Sequence, residues 1–331
     1  MAFDLSVLDL VPVPSGTTPS AAIRDSVSLA QLAERTGYRR YWISEHHGMP
    51  AIASASPEVL LSRIGALTSR IRIGSGGIML PNHSPMRVAE HFRTLEALYP
   101  GRVDLGLGRA PGSDARTNRA LGAGSGAHFG DMLTEMLSLA DGRYGPEHPY
   151  AGVRVMPDDA PLPPIWILGS SGASAHVAGA SGFGYSFASH FSPVDPAPAL
   201  ASYRETFEAS PQFAEPHTIL GVSVICAETE AEAQRLAKTV DLMWLRLRKG
   251  EFLPLPSPEE AAAYPYTAPE QAAIEENRAR HIIGDPAQVA AQLRTTAERT
   301  GADELMIVSN IHDPGARLHS YALVAEALAA S

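Results

Sequence analysis

Four short segments carry the side chains that could do chemistry. The first, Ser44-Glu45-His46-His47, sets adjacent histidines beside a carboxylate at the end of an apolar run. An imidazole there can act as a general base or a hydrogen-bond donor near neutral pH. A shared metal ion is disfavoured, because the pair is not an HExxH motif and successive residues of an extended chain point to opposite faces. A structural histidine pair is the competing role. The second segment, Gly74-Ser75-Gly76-Gly77-Ile78-Met79-Leu80-Pro81, concentrates glycine inside a strand. That costs backbone entropy but permits a bulge, an unusual peptide geometry or close approach of a flat ligand, and tight packing would equally require it.

The third segment, Val103-Asp104-Leu105-Gly106-Leu107-Gly108-Arg109-Ala110-Pro111-Gly112, approaches a dinucleotide fingerprint, but Pro111 stands where GxGxxG needs glycine. It reads better as a strand end that delivers Arg109 to an anion, with a surface ion pair as the alternative. The fourth is Ile165-Trp166-Ile167-Leu168 followed at once by Gly169, Ser170, Ser171, Gly172 and Ala173. Small residues between a strand and a helix expose backbone N–H groups and hydroxyls that suit a phosphate. Ser170 can also serve only as a helix cap.

These segments need a scaffold that brings strand ends together. Short β-rich runs alternate with helical patterns, which predicts βα units and a parallel sheet. Strands are expected at residues 5–10, 40–44, 71–78, 102–107, 165–168, 185–188, 219–226 and 304–309, a set that fits a closed (β/α)8 TIM barrel. Thr18-Pro19-Ser20, Ser84-Pro85 and Asp285-Pro286 open helices that end near Gly37, Gly101 and Gly301. In such a barrel the C-terminal strand ends form the active face. The whole chain, residues 1–331, is read as a single barrel domain with insertions at 110–127 and 249–284 that shape its mouth.

Composition removes several alternatives. The net charge of −10, with no Lys/Arg-rich run, argues against nucleic acid as a partner. Cys226 is the single cysteine, so neither an intrachain disulfide nor a thiolate metal cluster can form, and its apolar surroundings predict a buried strand residue. Residues 160–194 lack charge, but their prolines and glycines break any membrane-spanning helix. Asp4 and Asp9 precede the first basic residue, Arg24, which is not the order of a secretory signal. A cytoplasmic location is expected.

Taken in order, Ser44-Glu45-His46-His47, Leu80-Pro81-Asn82-His83-Ser84-Pro85, Gly108-Arg109 and Leu168-Gly169-Ser170-Ser171 resemble the bacterial-luciferase-like flavin monooxygenases. The resemblance extends to Ser186-Phe187-Ala188-Ser189-His190-Phe191 and Met306-Ile307-Val308-Ser309-Asn310-Ile311. It implies a barrel that uses reduced FMN and O2 on a small organic substrate. It further implies His46 as the active-site histidine, Gly76 and Gly77 against the flavin ring with a cis peptide between them, and Arg109 with residues 169–173 around the phosphate. Gly108 and Ser84 depart from luciferase itself, so light emission is not implied. Relatives suggest a homodimer through residues 57–69 and 85–98. With no second pyrophosphate turn for NADH, a separate flavin reductase is expected as a transient partner. Competing readings are F420-dependent hydride transfer on the same fold, a non-catalytic flavin-binding subunit, and a metal-dependent barrel hydrolase.

Overall fold

The apolar runs become strands that are buried on both faces, as a parallel sheet covered by helices requires. In the computed structural model, which describes residues 3–110 and 112–329, the strands are β1 (Asp4–Asp9), β2 (Arg40–Ile43), β3 (Arg72–Ser75), β4 (Ile78–Met79), β5 (Val103–Gly108), β6 (Ile165–Gly169), β7 (Gly184–Ala188), β8 (Thr218–Cys226), β9 (His281–Gly284) and β10 (Glu304–Val308). All pairings between them are parallel. The order β1-β2-β3-β5-β6-β7-β8-β10 closes when β10 pairs with β1, giving the eight-stranded barrel, with β4 extending β3 alongside β5. The strand expected at 71–78 is therefore two pieces, interrupted at Gly76-Gly77, whose peptide is cis.

β9 was not expected. It adds to the upper half of β8, where Ser223–Cys226 pair with His281–Gly284 after the lower half has paired with β10. Residues 249–284 therefore carry regular structure as well as prolines.

The helices are α1 (Pro19–Arg35), α2 (Pro57–Leu67), α3 (Pro85–Leu98), α4 (Ala115–Leu121), α5 (Phe129–Ala140), α6 (Ala175–Ala180), α7 (Ala197–Thr206), α8 (Glu230–Arg248), α9 (Pro258–Ala263), α10 (Ala268–Arg278), α11 (Pro286–Thr300) and α12 (Pro314–Ala329). Proline opens α1, α3 and α11 as expected, where its missing N–H has no helical partner to lose. Asp285 and Gln288 form a capping box at α11, and Gly301 ends it at φ 65°. Among the described residues no helix is long and apolar enough to cross a membrane.

Two layers plug the barrel beneath its mouth. At the bottom Arg40 donates to Glu304 at 2.7 Å and to Asp104 at 2.8 Å, all three almost wholly buried. Burial opposes the charge on Glu304, but Arg40, His217 and Ser6 outweigh it and hold that carboxyl down at about 2. Removing Arg40 alone would leave buried Glu304 with Ser6 and His217 but no buried cation, while Asp104 keeps Arg72, a cost of at most about 3–5 kcal/mol. Above this layer Trp42 and Trp166 meet edge to face at 5.5 Å and pack with Leu8, Ile219, Met306 and Val308. Everything higher is free to form a cavity. Cys226 is buried on β8, as expected, and burial pushes its thiol up to about 12.

Candidate active site

A cavity of about 660 Å³ opens above the tryptophan layer, at the C-terminal ends of the strands. That volume is in the usual range for a cofactor or small-molecule site. His46 follows β2, Gly76 follows β3, Arg109 follows β5, and Gly169, Ser170, Ser171 and Ala173 end or follow β6; all line the cavity. Gly77 and Gly172 do not line it. A methyl at Gly77 would fall 2.8 Å from the Gly106 carbonyl oxygen, so packing alone requires glycine there. At Gly76 it would fall 2.5 Å from Leu8 Cδ1, while the residue also forms part of the wall.

His46 and His47 part company, as alternation predicts. His46 Nδ1 lies 3.1 Å from Ser44 Oγ, which lies 3.0 Å from Ser54 Oγ, and the His46 N–H donates to the Ser54 carbonyl at 3.1 Å. Burial, helped by His47 and opposed by Glu45, pushes the His46 pKa down to about 4. The side chain is therefore a neutral imidazole at physiological pH, suited to donating or accepting a hydrogen bond rather than to carrying a charge.

His47 turns instead to Glu45, which is fully buried. The Glu45 carboxylate accepts from His47 Nε2 at 2.8 Å, Met79 N at 2.8 Å, Asn82 Nδ2 at 3.0 Å and His83 Nε2 at 2.9 Å. Burial pushes Glu45 up, but the bonds and charge of His83, with Asn82 and His47, more than offset it, and its pKa falls below the ordinary value. His83 moves the other way: burial lowers it, the Glu45 contacts outweigh that, and its pKa is raised. This hub ties the end of β2 to the turn before α3 and so fixes the segment that carries His46. Among the described residues no group of three or more His, Cys, Asp and Glu side chains is arranged to hold a metal.

Arg109 and the 169–173 turn come together because β5 and β6 are neighbours in the barrel. Arg109 is exposed to the cavity, and its guanidinium has no hydrogen-bond or ion-pair partner among the described residues. Pro111, the residue that breaks the dinucleotide spacing, lies outside the described residues. The turn departs from expectation in one respect: the helix after it, α6, has only six residues and begins at Ala175 with Ser174 as its N-cap. Its dipole adds little, and Ser170 is not the cap. The Ser170 carbonyl instead accepts from Ser192 Oγ at 2.6 Å, which anchors the turn to the segment after β7.

Sequence reasoning gave no role to several cavity residues. His190, two residues beyond β7, lines the cavity, and burial, with His46 next, pushes its pKa down to about 4. Its position just past a strand's C-terminal end was the available signal. Ser223 on β8 and His281 on β9 also face the cavity, and Ser223 Oγ lies 2.7 Å from His281 Nδ1. That pairing depends on β9, which sequence patterning did not find.

The fold recurs in known proteins. A luciferase-like monooxygenase of Escherichia coli K12 is 40% identical over 318 residues, covering 96% of this chain and 95% of that protein. The N-acetyl-S-alkylcysteine monooxygenase of Bacillus subtilis strain 168 is 33% identical over 99% of this chain and 98% of its own length. The crystal structure of apo-MsnO8 superposes with a TM-score of 0.90 at 39% identity, covering 99% of both chains. The family model for luciferase-like monooxygenases matches residues 1–304. By that match and these relatives, the chain belongs to the luciferase-like monooxygenase family.

Proposed function

We propose that residues 1–331 work as one barrel unit that binds FMN in this cavity and, with O2, oxidises a small organic substrate. The observation that carries the reading is the unpartnered Arg109 guanidinium beside the small-residue turn of Gly169, Ser170, Ser171, Gly172 and Ala173. A phosphate dianion needs both a counter-charge and hydrogen-bond donors, and this wall carries Arg109 and the hydroxyl-bearing Ser170 and Ser171 in a chain whose net charge is −10. Bound reduced flavin supplies the electrons for oxygen chemistry, which no side chain in the cavity can supply. The protein contributes position and surroundings. Gly76 leaves room for a flat ring against the wall, while Gly77 holds the strand behind it. His46, kept neutral by burial, presents one ring nitrogen to the reacting end, and Ser44 holds the ring from the other side. Apolar lining excludes water around a reactive species.

Delivery of the electrons is assigned to a separate, transient flavin reductase. Gly106 and Gly108, the glycines of the near-dinucleotide motif, are both taken up by barrel packing, against the Ser75 carbonyl and the Met79 side chain. The proposed setting is cytoplasmic, with a homodimer formed through the 57–69 and 85–98 regions. Val59 on α2 and Leu98 on α3 support it, being 65% and 56% exposed. The relative acting on N-acetyl-S-alkylcysteine makes thioethers the first substrates to screen.

The test combines purified protein, FMN, NADH and 18O2 with a thioether panel, with and without an unrelated flavin reductase. Label should enter a product only when the reductase is present. Saturable NADH oxidation by the protein alone, at about 1 s⁻¹ or faster, would overturn the two-component reading. Oxidation of no substrate with reduced flavin supplied would count against the monooxygenase reading itself.

A further inference from the structure

The side of the cavity under α8 is not used by the flavin reading. It is walled by Val240, Met243, Trp244 and Leu247, and polar atoms enter it from Ser223, Asn277 and His281. Ser223 sits where β8 changes partner, opposite Val308 of β10 on one side and His281 of β9 on the other.

The hydrogen bonds here have a fixed direction. Arg280 Nη2 donates to Asn277 Oδ1 at 2.8 Å. A guanidinium only donates, so the Asn277 oxygen must face it and the amide nitrogen must face His281, whose Nε2 is 3.0 Å away. That nitrogen also only donates, so His281 Nε2 accepts. A neutral imidazole accepting at Nε2 carries its proton on Nδ1, which then donates to Ser223 Oγ at 2.7 Å. Burial, with the charges of Arg280 and Arg278, pushes His281 down to about 4, which agrees with a neutral ring. Ser223 Oγ is thereby an acceptor within the wall. Its own hydrogen has no acceptor among the described residues and is left for whatever fills the cavity.

We propose that Ser223 donates a hydrogen bond to the substrate, and that Arg280, Asn277 and His281 are positioning residues that hold it in that role. The substrate then has an apolar body bearing an uncharged acceptor, a carbonyl oxygen or its equivalent. A carboxylate is a poorer match, because Arg109 is the one Lys or Arg among the described residues lining the cavity, and the flavin reading places it at the phosphate. The inference rests on reading this cavity as a substrate site.

The first readout is the His281 tautomer in the unaltered protein, from long-range 1H–15N spectra of 15N-histidine-labelled material, assigned by the signal lost in His281→Gln. A bare Nε2 and protonated Nδ1 are expected, and Asn277→Asp should place a proton on Nε2. The second uses acetophenone and its isostere α-methylstyrene, followed by tryptophan fluorescence and, for acetophenone, by the carbonyl stretch. Ser223→Ala should weaken acetophenone about 3- to 10-fold, the usual scale of one neutral hydrogen bond. It should leave α-methylstyrene unchanged and raise the carbonyl frequency. A protonated Nε2 in the unaltered protein overturns the proposal. So does equal acetophenone binding and frequency with and without Ser223, or no acetophenone binding at all. FMN is titrated in parallel: its failure to bind would defeat the flavin reading, while the tautomer and carbonyl readouts still decide the relay.

Discussion

Replacing Glu45 by Gln tests whether the buried carboxylate organises the histidine-bearing edge of the mouth. The carboxylate accepts from four groups, His83 Nε2 reaching both oxygens; an amide keeps only those that face its oxygen, without the charge, and its NH2 must face at least one donor, Met79 N or His47 with Asn82. Bonds to a charged group are worth about 1.5–3 kcal/mol, and partial rearrangement of His47 recovers some of the loss, so we expect Glu45→Gln to destabilise by about 2–3 kcal/mol at pH 6. The pH dependence follows from two opposite shifts. Glu45 is lowered on folding, so its contribution is present above its ordinary value of 4.5 and is lost as pH falls through the folded value. His83 is raised, so its contribution is full below its ordinary value of 6.5 and is lost as pH rises through the folded value. The difference between the two proteins should therefore be greatest between about pH 4.5 and 6.5 and smaller at pH 8.5. Urea unfolding with an unchanged m-value reads it directly. A difference below about 0.5 kcal/mol at pH 6, the scale of a surface substitution, or a larger difference at pH 8.5, would refute the reasoning.

Three further outcomes are expected. His46, His190 and His281 all have folded pKa values near 4, so each favours the folded state above 6.5 and loses that contribution as pH falls toward 4. The urea midpoint should drop steadily from pH 7 to pH 5, and a flat profile would contradict the buried neutral rings. His46→Ala should keep FMN affinity within a few fold while lowering substrate oxidation by about 10²–10⁴, the span for a positioned acid or base; full turnover would remove the assigned role. Light scattering should give twice the 35.1 kDa chain mass, and a monomer mass at micromolar concentration would end the dimer proposal.

Much of the scaffold was legible because local chemistry and tertiary context agree. The eight barrel strands are apolar runs between turn signals, and the Thr18-Pro19 and Asp285-Pro286 helix starts are caps that function locally. β9 escaped notice because His281–Gly284 is four residues long and follows a proline-rich run; it is a strand only because the upper half of β8 offers it an edge. The capping boxes Ser257/Glu260 and Thr267/Glu270 were readable signs of α9 and α10 inside that run. At the site, His46 and Arg109 could be placed by their position after a strand. The partners of Glu45 could not, since Met79, Asn82 and His83 lie 34 to 38 residues away and meet it only through the pairing of β2 with β3. The Gly169 turn was found, but its length-limited helix was not, because nothing in a run of small residues marks where α6 begins.

The central claim, that Arg109 and the 169–173 turn hold a flavin phosphate, is tested most directly by comparing FMN with riboflavin, which differs only in lacking that phosphate. Binding is followed by flavin fluorescence for the unaltered protein and for Arg109→Ala. The account predicts tighter binding of FMN than of riboflavin to the unaltered protein. It also predicts that Arg109→Ala weakens FMN by about 1.5–3 kcal/mol, roughly 10- to 150-fold, while riboflavin changes little. Equal losses for the two flavins, or no preference for FMN in the unaltered protein, would contradict it.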